Sequence, residues 1–272
     1  MNDKLMRSAL FVPGNRPERF AKALTSGADA VIVDFEDAVQ ESDKTLAREN
    51  LGEFLQATPT ARVWVRINMA SHAQHEADLA FCAGQSGVCG VMLPKAESAE
   101  QVARVVAIGQ PVWPIIESAL GLQALAAISQ VCGVDRLTYG GLDMSLDLGL
   151  IAGTAGAECM LDQVRFALLQ HSRLAGLAPP LETVYARIDD PIGLEYFVLS
   201  AQTKGFAGML CIHPRQVEVV HLALAPTLTQ VDWARRVLAS ADQAGAFQLD
   251  GQMIDAPVIQ RARNILASVN NA

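Results

Sequence analysis

Short apolar runs recur along the chain, and each is followed by a stretch with helical character. Most runs are rich in Val, Ile or Leu and are continuously apolar, which is typical of strands buried on both faces of a parallel sheet. Eight such units predict a closed (β/α)8 barrel, the TIM barrel of the α/β class. The predicted strands are residues 9–13, 30–34, 63–67, 90–94, 112–116, 137–140, 181–186 and 208–212.

Turn and capping residues between the runs predict where several helices begin. Pro17 is expected to open the first helix, since proline is favoured in a first helical turn. Ser98 and Gln101 have the spacing of a capping box before the fourth helix. Asp190 and Pro191 are expected to start the seventh helix.

The predicted barrel occupies residues 1–225, and residues 226–272 form a C-terminal helical extension. Within the extension, residues 229–242 are a predicted helix, 245–255 a loop and 257–269 a last helix. A barrel does not need these residues to close. We therefore expect the extension to cover the barrel or to pack on a neighbouring subunit.

Composition agrees with a barrel and narrows the possible partners. The 272-residue chain is 51% hydrophobic, and its net charge of −8 argues against general nucleic-acid binding. The net charge does not exclude a small anionic ligand, which needs only local positive charge. We find neither an uninterrupted apolar span nor an apolar signal core, and we expect a cytoplasmic protein without membrane contact. Five cysteines without CxxC spacing predict no zinc site and no disulfide framework.

Two carboxylates stand where neighbouring predicted strands end. Glu117 follows the strand at 112–116, and Asp143 follows two glycines after the next strand. An acid at the end of a buried strand is costly unless a charged group lies against it. Carboxylate oxygens are preferred ligands of hard cations such as Mg²⁺. The sequence therefore predicts that Glu117 and Asp143 hold Mg²⁺.

Each of these two acids also has a structural alternative. Glu117 could pair with Lys95 or Arg66 for stability alone. Asp143 could cap the short helix that follows it, with or without a bound metal.

Other polar side chains follow other predicted strands, and in such barrels the active site lies at the carboxyl ends of the strands. Arg66 has a planar guanidinium that suits a carboxylate or a developing oxyanion. Glu36 and Asp37 are candidate substrate contacts, although they could instead hold Arg16 or Lys44. Convergence of acids and bases on one rim predicts an active site there.

Several sequence words carry a family resemblance. They are RSALFVPGNRPERF at residues 7–20, DFEDAV at 34–39, VRIN at 65–68, MLPKAE at 92–97, IES at 116–118, GGLD at 140–143, CIHP at 211–214 and GQMID at 251–255. In this order they resemble the citrate lyase β-subunit-like (CitE-like) branch of the HpcH/HpaI aldolase superfamily. The words cover nearly the whole chain, and as a set they are specific. One departure is Ala38, where many relatives have Gly, and it concerns only local loop geometry.

The resemblance implies a barrel that assembles as a homotrimer or a dimer of trimers. It implies Mg²⁺ on Glu117 and Asp143, with Arg66 contacting the substrate oxygens. It also implies that the extension reaches a neighbouring subunit, where Asp255 acts as an acid or base.

Relatives in this family make or break the carbon–carbon bond between an acetyl thioester and a keto acid, which implies a coenzyme A thioester as substrate. An acidic protein then needs local positive charge for the coenzyme A phosphates. The candidates are Arg7, Arg16, Arg19 and Lys22, which cluster in the first βα unit. Lys95, after the fourth strand, is a separate candidate substrate contact. A solvated helix face is the alternative for the Arg16 cluster.

Within the family we expect a lyase that cleaves (3S)-citramalyl-CoA to acetyl-CoA and pyruvate, as in itaconate degradation. Three alternatives stay open. One is the citryl-thioester lyase of a citrate lyase complex. Another is a malyl-CoA lyase, a thioesterase or a malate synthase-like enzyme. The last is a non-catalytic assembly subunit, which would be favoured if the intact protein bound no metal.

Overall fold

Eight parallel strands close into a barrel in this computed structural model, which describes residues 6–241 and 246–270. Each strand pairs with the next along the chain, and β1 closes on β8 with Ser8 opposite Met209. The TIM barrel predicted from the apolar runs is confirmed. The strands are β1 (Ser8–Pro13), β2 (Ala30–Asp34), β3 (Val63–Arg66), β4 (Val88–Leu93), β5 (Val112–Ile116), β6 (Arg136–Tyr139), β7 (Ala178–Glu182) and β8 (Gly208–Cys211).

Helices follow the strands, as a right-handed crossover between parallel strands requires. Short 3₁₀ turns at Pro17–Arg19 and Glu41–Asp43 precede the first two helices. The helices that follow strands β1 to β8 are α1 (Phe20–Leu24), α2 (Lys44–Ala57), α3 (His75–Gly84), α4 (Ala99–Val106), α5 (Ala119–Ser129), α6 (Gly141–Asp147), α7 (Ala155–Leu174), α8 (Pro191–Thr203) and α9 (Pro214–Leu224).

The helix starts predicted at Ser98 and Asp190 are observed, with one difference in detail, while Pro17 opens a 3₁₀ turn that leads into α1. The Ser98 hydroxyl accepts a hydrogen bond from the Gln101 N–H at 3.2 Å, as a capping box requires. The Gln101 side chain, however, accepts from the N–H of Glu97 at 2.8 Å instead of Ser98. At α8 the Asp190 carboxylate accepts from the Gly193 N–H at 2.9 Å, so Asp190 caps that helix.

The seventh strand lies earlier than predicted. We expected residues 181–186, but β7 is Ala178–Glu182. Pro179 and Pro180 argue against a strand in sequence because they lack the N–H that a ladder uses. Here the pairing of β6 with β7 is irregular across these prolines, and the Pro180 carbonyl still accepts from the N–H of Ala207 at 3.0 Å. The strand tolerates the prolines by shifting its register.

Two tryptophans fill part of the barrel interior. Trp64 on β3 and Trp113 on β5 stack with their ring centroids 3.9 Å apart. Gly90 on β4 makes room for them, because a Cβ atom there would lie 2.3 Å from the Trp64 ring. Layers of such inward side chains make a barrel interior a packed core and not a channel.

The chain divides into two compact units, one from Met6 to Val220 and one from His221 onward. The predicted boundary after residue 225 stays a prediction. The second unit contains α10 (Leu228–Ala241), β9 (Phe247–Leu249), β10 (Gln252–Ile254) and α11 (Ala256–Asn270). Its own buried cluster consists of Ala234, Val237, Ile254 and Ala262.

The loop predicted at 245–255 is wrong for its described residues, which form a hairpin of β9 and β10. Asp250 and Gly251 join the strands with φ angles of 51° and 79°. An Asp-Gly pair with two positive φ angles is a strong hairpin signal that the sequence prediction missed. Within residues 6–241 and 246–270, no helix is both long and apolar enough to span a membrane.

Candidate active site

A cavity of about 250 Å³ opens at the carboxyl ends of the barrel strands. We call it the rim cavity. Residues from β1, β2, β3, β5, β6 and β8 and from the segments that follow the strands line it. They are Phe11, Pro13, Asp34, Asp37, Ala38, Arg66, Ile115, Glu117, Tyr139, Gly140, Gly141, Leu142, Asp143, Thr183, Val184, Leu210 and Ile212. The structure therefore brings Glu117, Asp143, Arg66 and Asp37 of the sequence prediction together.

Glu117 lies directly after β5 with only 6% of its surface exposed. Its Oε1 accepts a hydrogen bond from the backbone N–H of Lys95 at 2.8 Å. Lys95 has a φ of 46°, a conformation that non-glycine residues seldom adopt and that often marks functional sites. Burial, with help from the nearby charge of Asp143, raises the pKa of Glu117 to about 7, although the Lys95 N–H and Arg66 act in the opposite direction.

The second oxygen of Glu117 faces the backbone that leads to Asp143. A Cβ atom on Gly140 would lie 2.2 Å from Glu117 Oε2, so only glycine leaves room for the carboxylate. Asp143 lies in the first turn of α6 and is half-buried. Within the described chain its carboxylate accepts no hydrogen bond, so capping of α6 by this side chain is not observed.

The two carboxylates fit a divalent cation. They are hard oxygen donors, one is deeply buried, and Asp143 opposes ionisation of Glu117 through its like charge. A cation between them would relieve that repulsion. No group of three or more His, Cys, Asp or Glu ligands occurs among the described residues. This donor set resembles the way proteins bind Mg²⁺, with one or two carboxylates and with water or substrate as the remaining ligands.

Arg66 ends β3 and is held in a fixed orientation. Its Nε and Nη2 donate to the two carboxylate oxygens of Asp34 at 2.7 and 2.6 Å, a bidentate pair. Its guanidinium also lies 4.9 Å from the centre of the Phe11 ring. Burial works against ionisation of both partners, but their mutual attraction outweighs it. The pKa of Asp34 is lowered and that of Arg66 is raised.

Glu36 and Asp37 contact Arg66, and not Arg16 or Lys44 as the structural alternative supposed. Arg66 Nη1 lies 2.9 Å from Glu36 Oε2 and 3.2 Å from Asp37 Oδ2. The Lys44 ammonium donates instead to the carbonyl oxygens of Phe35 and Glu36, which fixes the β2–α2 loop. Burial raises the pKa of Glu36 to about 8, and the neighbouring Asp37 and Asp34 add to the effect while Arg66 opposes it.

The side chains of Lys95 and Arg16 are not part of the rim cavity wall. Arg16 is half-exposed and pairs with Glu18 at 2.7 Å. Arg7, another candidate for coenzyme A phosphates, is largely buried against Asp29 at 3.3 Å. Substrate contacts by Lys95 and Arg16 stay predictions.

Asp255 belongs to the second unit, where it stands at the start of α11. Its Oδ1 accepts from the Val258 N–H at 3.4 Å, the position of an N-cap bond. The predicted role of Asp255 at a neighbouring subunit's active site stays a prediction.

Sequence reasoning missed Thr183 and Tyr139, which both line the rim cavity. Thr183 directly follows β7, and a polar residue at a strand end is the signal that could have found it. The apolar pattern predicts the seventh strand at residues 181–186, which puts Thr183 within the strand and not at its carboxyl end. The Tyr139 hydroxyl donates to the buried carboxylate of Glu182, which Arg165 pairs at 3.0 Å.

Residues 7–214 match the family model described as HpcH/HpaI aldolase/citrate lyase. The chain belongs to this family. A citrate lyase subunit beta-like protein of Mycobacterium tuberculosis H37Rv is 38% identical, and the match covers 97% of this chain and 95% of that protein. The mitochondrial citramalyl-CoA lyase of Rattus norvegicus is 28% identical, over 96% of this chain and 85% of that protein.

Solved structures of HpcH/HpaI family members have the same fold. The crystal structure of CitE from Mycobacterium tuberculosis in complex with magnesium, acetoacetate and coenzyme A superimposes with a TM-score of 0.86. The two proteins are 36% identical in this comparison, which covers 97% of this chain and 98% of CitE.

Proposed function

We propose that this protein is a Mg²⁺-dependent carbon–carbon lyase that cleaves a 3-hydroxyacyl-CoA thioester. The specific substrate we propose is (3S)-citramalyl-CoA, which would give acetyl-CoA and pyruvate. The observation that carries the proposal is that Glu117 and Asp143 line one cavity together with Arg66. The names of the family members support it, since they include a citramalyl-CoA lyase and a CitE bound to magnesium and coenzyme A.

Glu117 and Asp143 would hold the Mg²⁺. A metal bound there supplies Lewis-acid stabilisation of negative charge on oxygen, which contributes several kcal/mol in comparable enzymes. The glycine at position 140 and the Lys95 N–H keep the Glu117 carboxylate in place. Asp34 holds Arg66 in a fixed orientation, and we assign to its guanidinium the contact with the substrate's carboxylate or developing oxyanion.

The proposed reaction breaks one carbon–carbon bond and needs no redox partner. A base takes the proton of the 3-hydroxyl group, that oxygen becomes the ketone oxygen of pyruvate, and the electron pair of the broken bond passes to the thioester as an enolate. A proton then adds to the enolate carbon and gives acetyl-CoA. We assign this second proton transfer to Asp255 of a neighbouring subunit in a homotrimer or a dimer of trimers.

The coenzyme A portion needs binding groups outside the small rim cavity. We assign contacts with its phosphates to Arg16, on the segment that follows β1, and a substrate contact to Lys95, on the segment that follows β4. Asp37 lines the cavity, and both Asp37 and Glu36 contact Arg66. We assign to these two acids substrate contacts next to Arg66.

The test is product analysis with a panel of thioesters. Purified protein with Mg²⁺ is given (3S)-citramalyl-CoA, malyl-CoA and citryl-CoA, and pyruvate, glyoxylate, oxaloacetate and free coenzyme A are measured. Pyruvate and acetyl-CoA in equal amounts from citramalyl-CoA support the proposal. Free coenzyme A without keto acid identifies a thioesterase. Release of glyoxylate as the preferred product identifies a malyl-CoA lyase.

A second candidate is a citryl-thioester lyase that acts on an acyl-carrier-protein thioester. The citrate lyase subunit beta-like relative is 38% identical, against 28% for the citramalyl-CoA lyase, which favours keeping this alternative. It predicts oxaloacetate from a citryl-carrier protein and poor turnover of the same acyl group on coenzyme A. Turnover of citramalyl-CoA by the free protein would contradict it.

A further inference from the structure

Thr183 places a hydroxyl group in the wall of the rim cavity. It is the first residue after β7 and only 8% of its surface is exposed. The same cavity contains Glu117 and Asp143, the acids to which we assign Mg²⁺. Thr183 is therefore a buried polar group at the carboxyl end of a barrel strand, where catalytic and binding residues of this fold are found.

Within the described residues, the Thr183 hydroxyl accepts a hydrogen bond but donates none. Its oxygen accepts a hydrogen bond from the backbone N–H of Gly141 at 2.9 Å. A hydroxyl group has one proton to donate, and the Thr183 proton is given to no acceptor within residues 6–241 and 246–270. Because a buried donor without an acceptor is costly, the position is suited to a ligand oxygen.

The surrounding contacts fix this hydroxyl in place. The N–H of Thr183 donates to Glu182 Oε1 at 3.2 Å, and Glu182 is itself buried and paired with Arg165. On its other side, a Cβ atom on Gly141 would lie 3.0 Å from the Thr183 methyl group, so the two residues are already in close contact. Turning the hydroxyl away from Gly141 would break its hydrogen bond with the Gly141 N–H.

Thr183 is linked to the segment that carries Asp143 through its hydrogen bond with Gly141. Its partner Gly141 precedes Asp143 by two residues in the first turn of α6. The part of the substrate that approaches Glu117 and Asp143 is its hydroxy-acid end, since carboxylate and hydroxyl oxygens are the hard ligands that Mg²⁺ prefers. The acids Glu117 and Asp143 have no proton to offer a carboxylate once they bind metal. Two guanidinium nitrogens of Arg66 already donate to Asp34, so Thr183 would be a donor in addition to Arg66.

We propose that the Thr183 hydroxyl donates a hydrogen bond to the free carboxylate at the hydroxy-acid end of the thioester substrate. After cleavage the same hydroxyl donates to the carboxylate of the 2-oxo acid product. The inference rests on the proposed lyase function and deepens it, because it assigns a residue that recognises the acid end of the ligand. It gives the cavity a neutral donor for the acid, next to a metal that would bind the same acid.

Two variants separate this role from a purely structural one. Thr183→Val keeps the shape and the methyl group but removes the hydroxyl. Thr183→Ser keeps the hydroxyl and removes the methyl group. A structural role, through the Gly141 N–H alone, predicts that Thr183→Val lowers Mn²⁺ affinity or thermal stability and leaves acid binding unchanged once metal is saturating.

The experiment measures pyruvate binding to the intact protein by calorimetry at saturating Mg²⁺, after Mn²⁺ affinity has been measured for each variant. We expect Thr183→Val to bind pyruvate about ten- to a hundredfold more weakly than wild type, the effect of losing a hydrogen bond to a charged group. Thr183→Ser should bind pyruvate nearly as wild type does.

Equal pyruvate affinity for wild type and Thr183→Val at saturating metal would overturn the inference and leave the proposed function standing. Wild-type protein that binds Mn²⁺ but neither pyruvate nor oxaloacetate would contradict the proposed function as well. Because binding is measured without turnover, the two failures are distinguishable.

Discussion

Arg66 carries one positive charge and contacts three carboxyl groups, those of Asp34, Glu36 and Asp37. Asp34 forms the bidentate pair and is held ionised, as its lowered pKa shows. A second deeply buried anion beside it would be costly. Glu36 avoids that cost by keeping its proton, since its pKa is raised to about 8.

This protonation makes folding stability depend on pH. A carboxyl whose pKa is higher in the folded than in the unfolded state holds a proton that the unfolded chain releases. The resulting stabilisation is fully present below the ordinary pKa of 4.5 and is lost as the pH rises through about 8. We expect the free energy of unfolding of wild type to fall relative to Glu36→Gln across this window, by at most about 1.4 kcal/mol per pH unit.

Urea denaturation at several pH values between 5 and 8 measures the difference. Glu53→Gln, which neutralises an exposed carboxyl on α2, controls for the change in net charge. Parallel stability curves for wild type and Glu36→Gln would show that Glu36 is ionised in the folded protein.

Glu117 gives a second pH dependence at the residue scale, this time in metal binding. Its pKa of about 7 means that the carboxyl of the metal-free protein is protonated below that pH. Mg²⁺ needs the carboxylate, so binding must release the proton. We expect the Mg²⁺ affinity to fall about tenfold per pH unit below the pKa and to level off above it.

Calorimetry in two buffers of different ionisation enthalpy measures the released proton directly. At pH 6 wild type should release close to one proton per bound Mg²⁺, and Glu117→Gln should release none on any residual binding. The same Mg²⁺ affinity at pH 6 and pH 8 would rule out this account of Glu117.

At the scale of elements, the junction of β6 and α6 decides whether Glu117 and Asp143 meet. Gly140 lets the backbone pass close to Glu117, and a Cβ atom there would lie 2.2 Å from Glu117 Oε2 and 3.0 Å from Glu117 Cβ. We expect Gly140→Ala to displace the carboxylate and weaken Mg²⁺ binding about ten- to a hundredfold. Mn²⁺ titration of the folded variant measures this.

Gly84→Ala is the matched control. Gly84 ends α3, and a Cβ atom there would meet nothing within 4 Å. Its Mn²⁺ affinity should equal that of wild type. If Gly140→Ala binds Mn²⁺ as tightly as Gly84→Ala does, the close approach at Gly140 has no part in holding Glu117.

The elements that sequence analysis predicted well were those with continuous apolar runs. Their buried strands need little local information beyond that pattern. The bounds of β7 and the hairpin at Asp250-Gly251 were predicted wrongly because each depends on a specific backbone geometry that an apolar pattern does not contain. The misplaced seventh strand in turn concealed Thr183.

Within the site, the sequence predicted that Glu117, Asp143, Arg66 and Asp37 gather at the rim but not how the side chains pair. Glu117, Asp143 and Arg66 were found because polar residues follow buried strands. The bidentate Arg66–Asp34 pair and the N–H of Lys95 on Glu117 depend on side-chain and backbone directions across neighbouring strands. Knowing which residues form strands does not determine those directions.

At the scale of the whole molecule, the proposal gives Asp255 to the active site of a neighbouring subunit. Asp255→Asn separates this role from its place at the start of α11, because asparagine caps a helix about as well as aspartate. We expect Asp255→Asn to keep the stability of wild type and to lose most lyase turnover, since an amide cannot supply the proton.

Co-expression of two inactive variants tests the sharing of sites between subunits. Mixed oligomers of Glu117→Ala and Asp255→Asn should regain part of the lyase activity, because some sites then combine an intact Glu117 with an intact Asp255. Oligomers of either variant alone are the controls. Mixed oligomers as inactive as these controls would refute a site shared between subunits.

The most direct test of the central claim is the rate of pyruvate release from (3S)-citramalyl-CoA by wild type and by Glu117→Gln, each with Mg²⁺ and with EDTA. The account predicts rapid release by wild type with Mg²⁺, loss of that release with EDTA, and no Mg²⁺-dependent release by a folded Glu117→Gln. Pyruvate release by wild type that persists in EDTA, or by Glu117→Gln at the wild-type rate, would contradict a metal-dependent lyase site at Glu117 and Asp143.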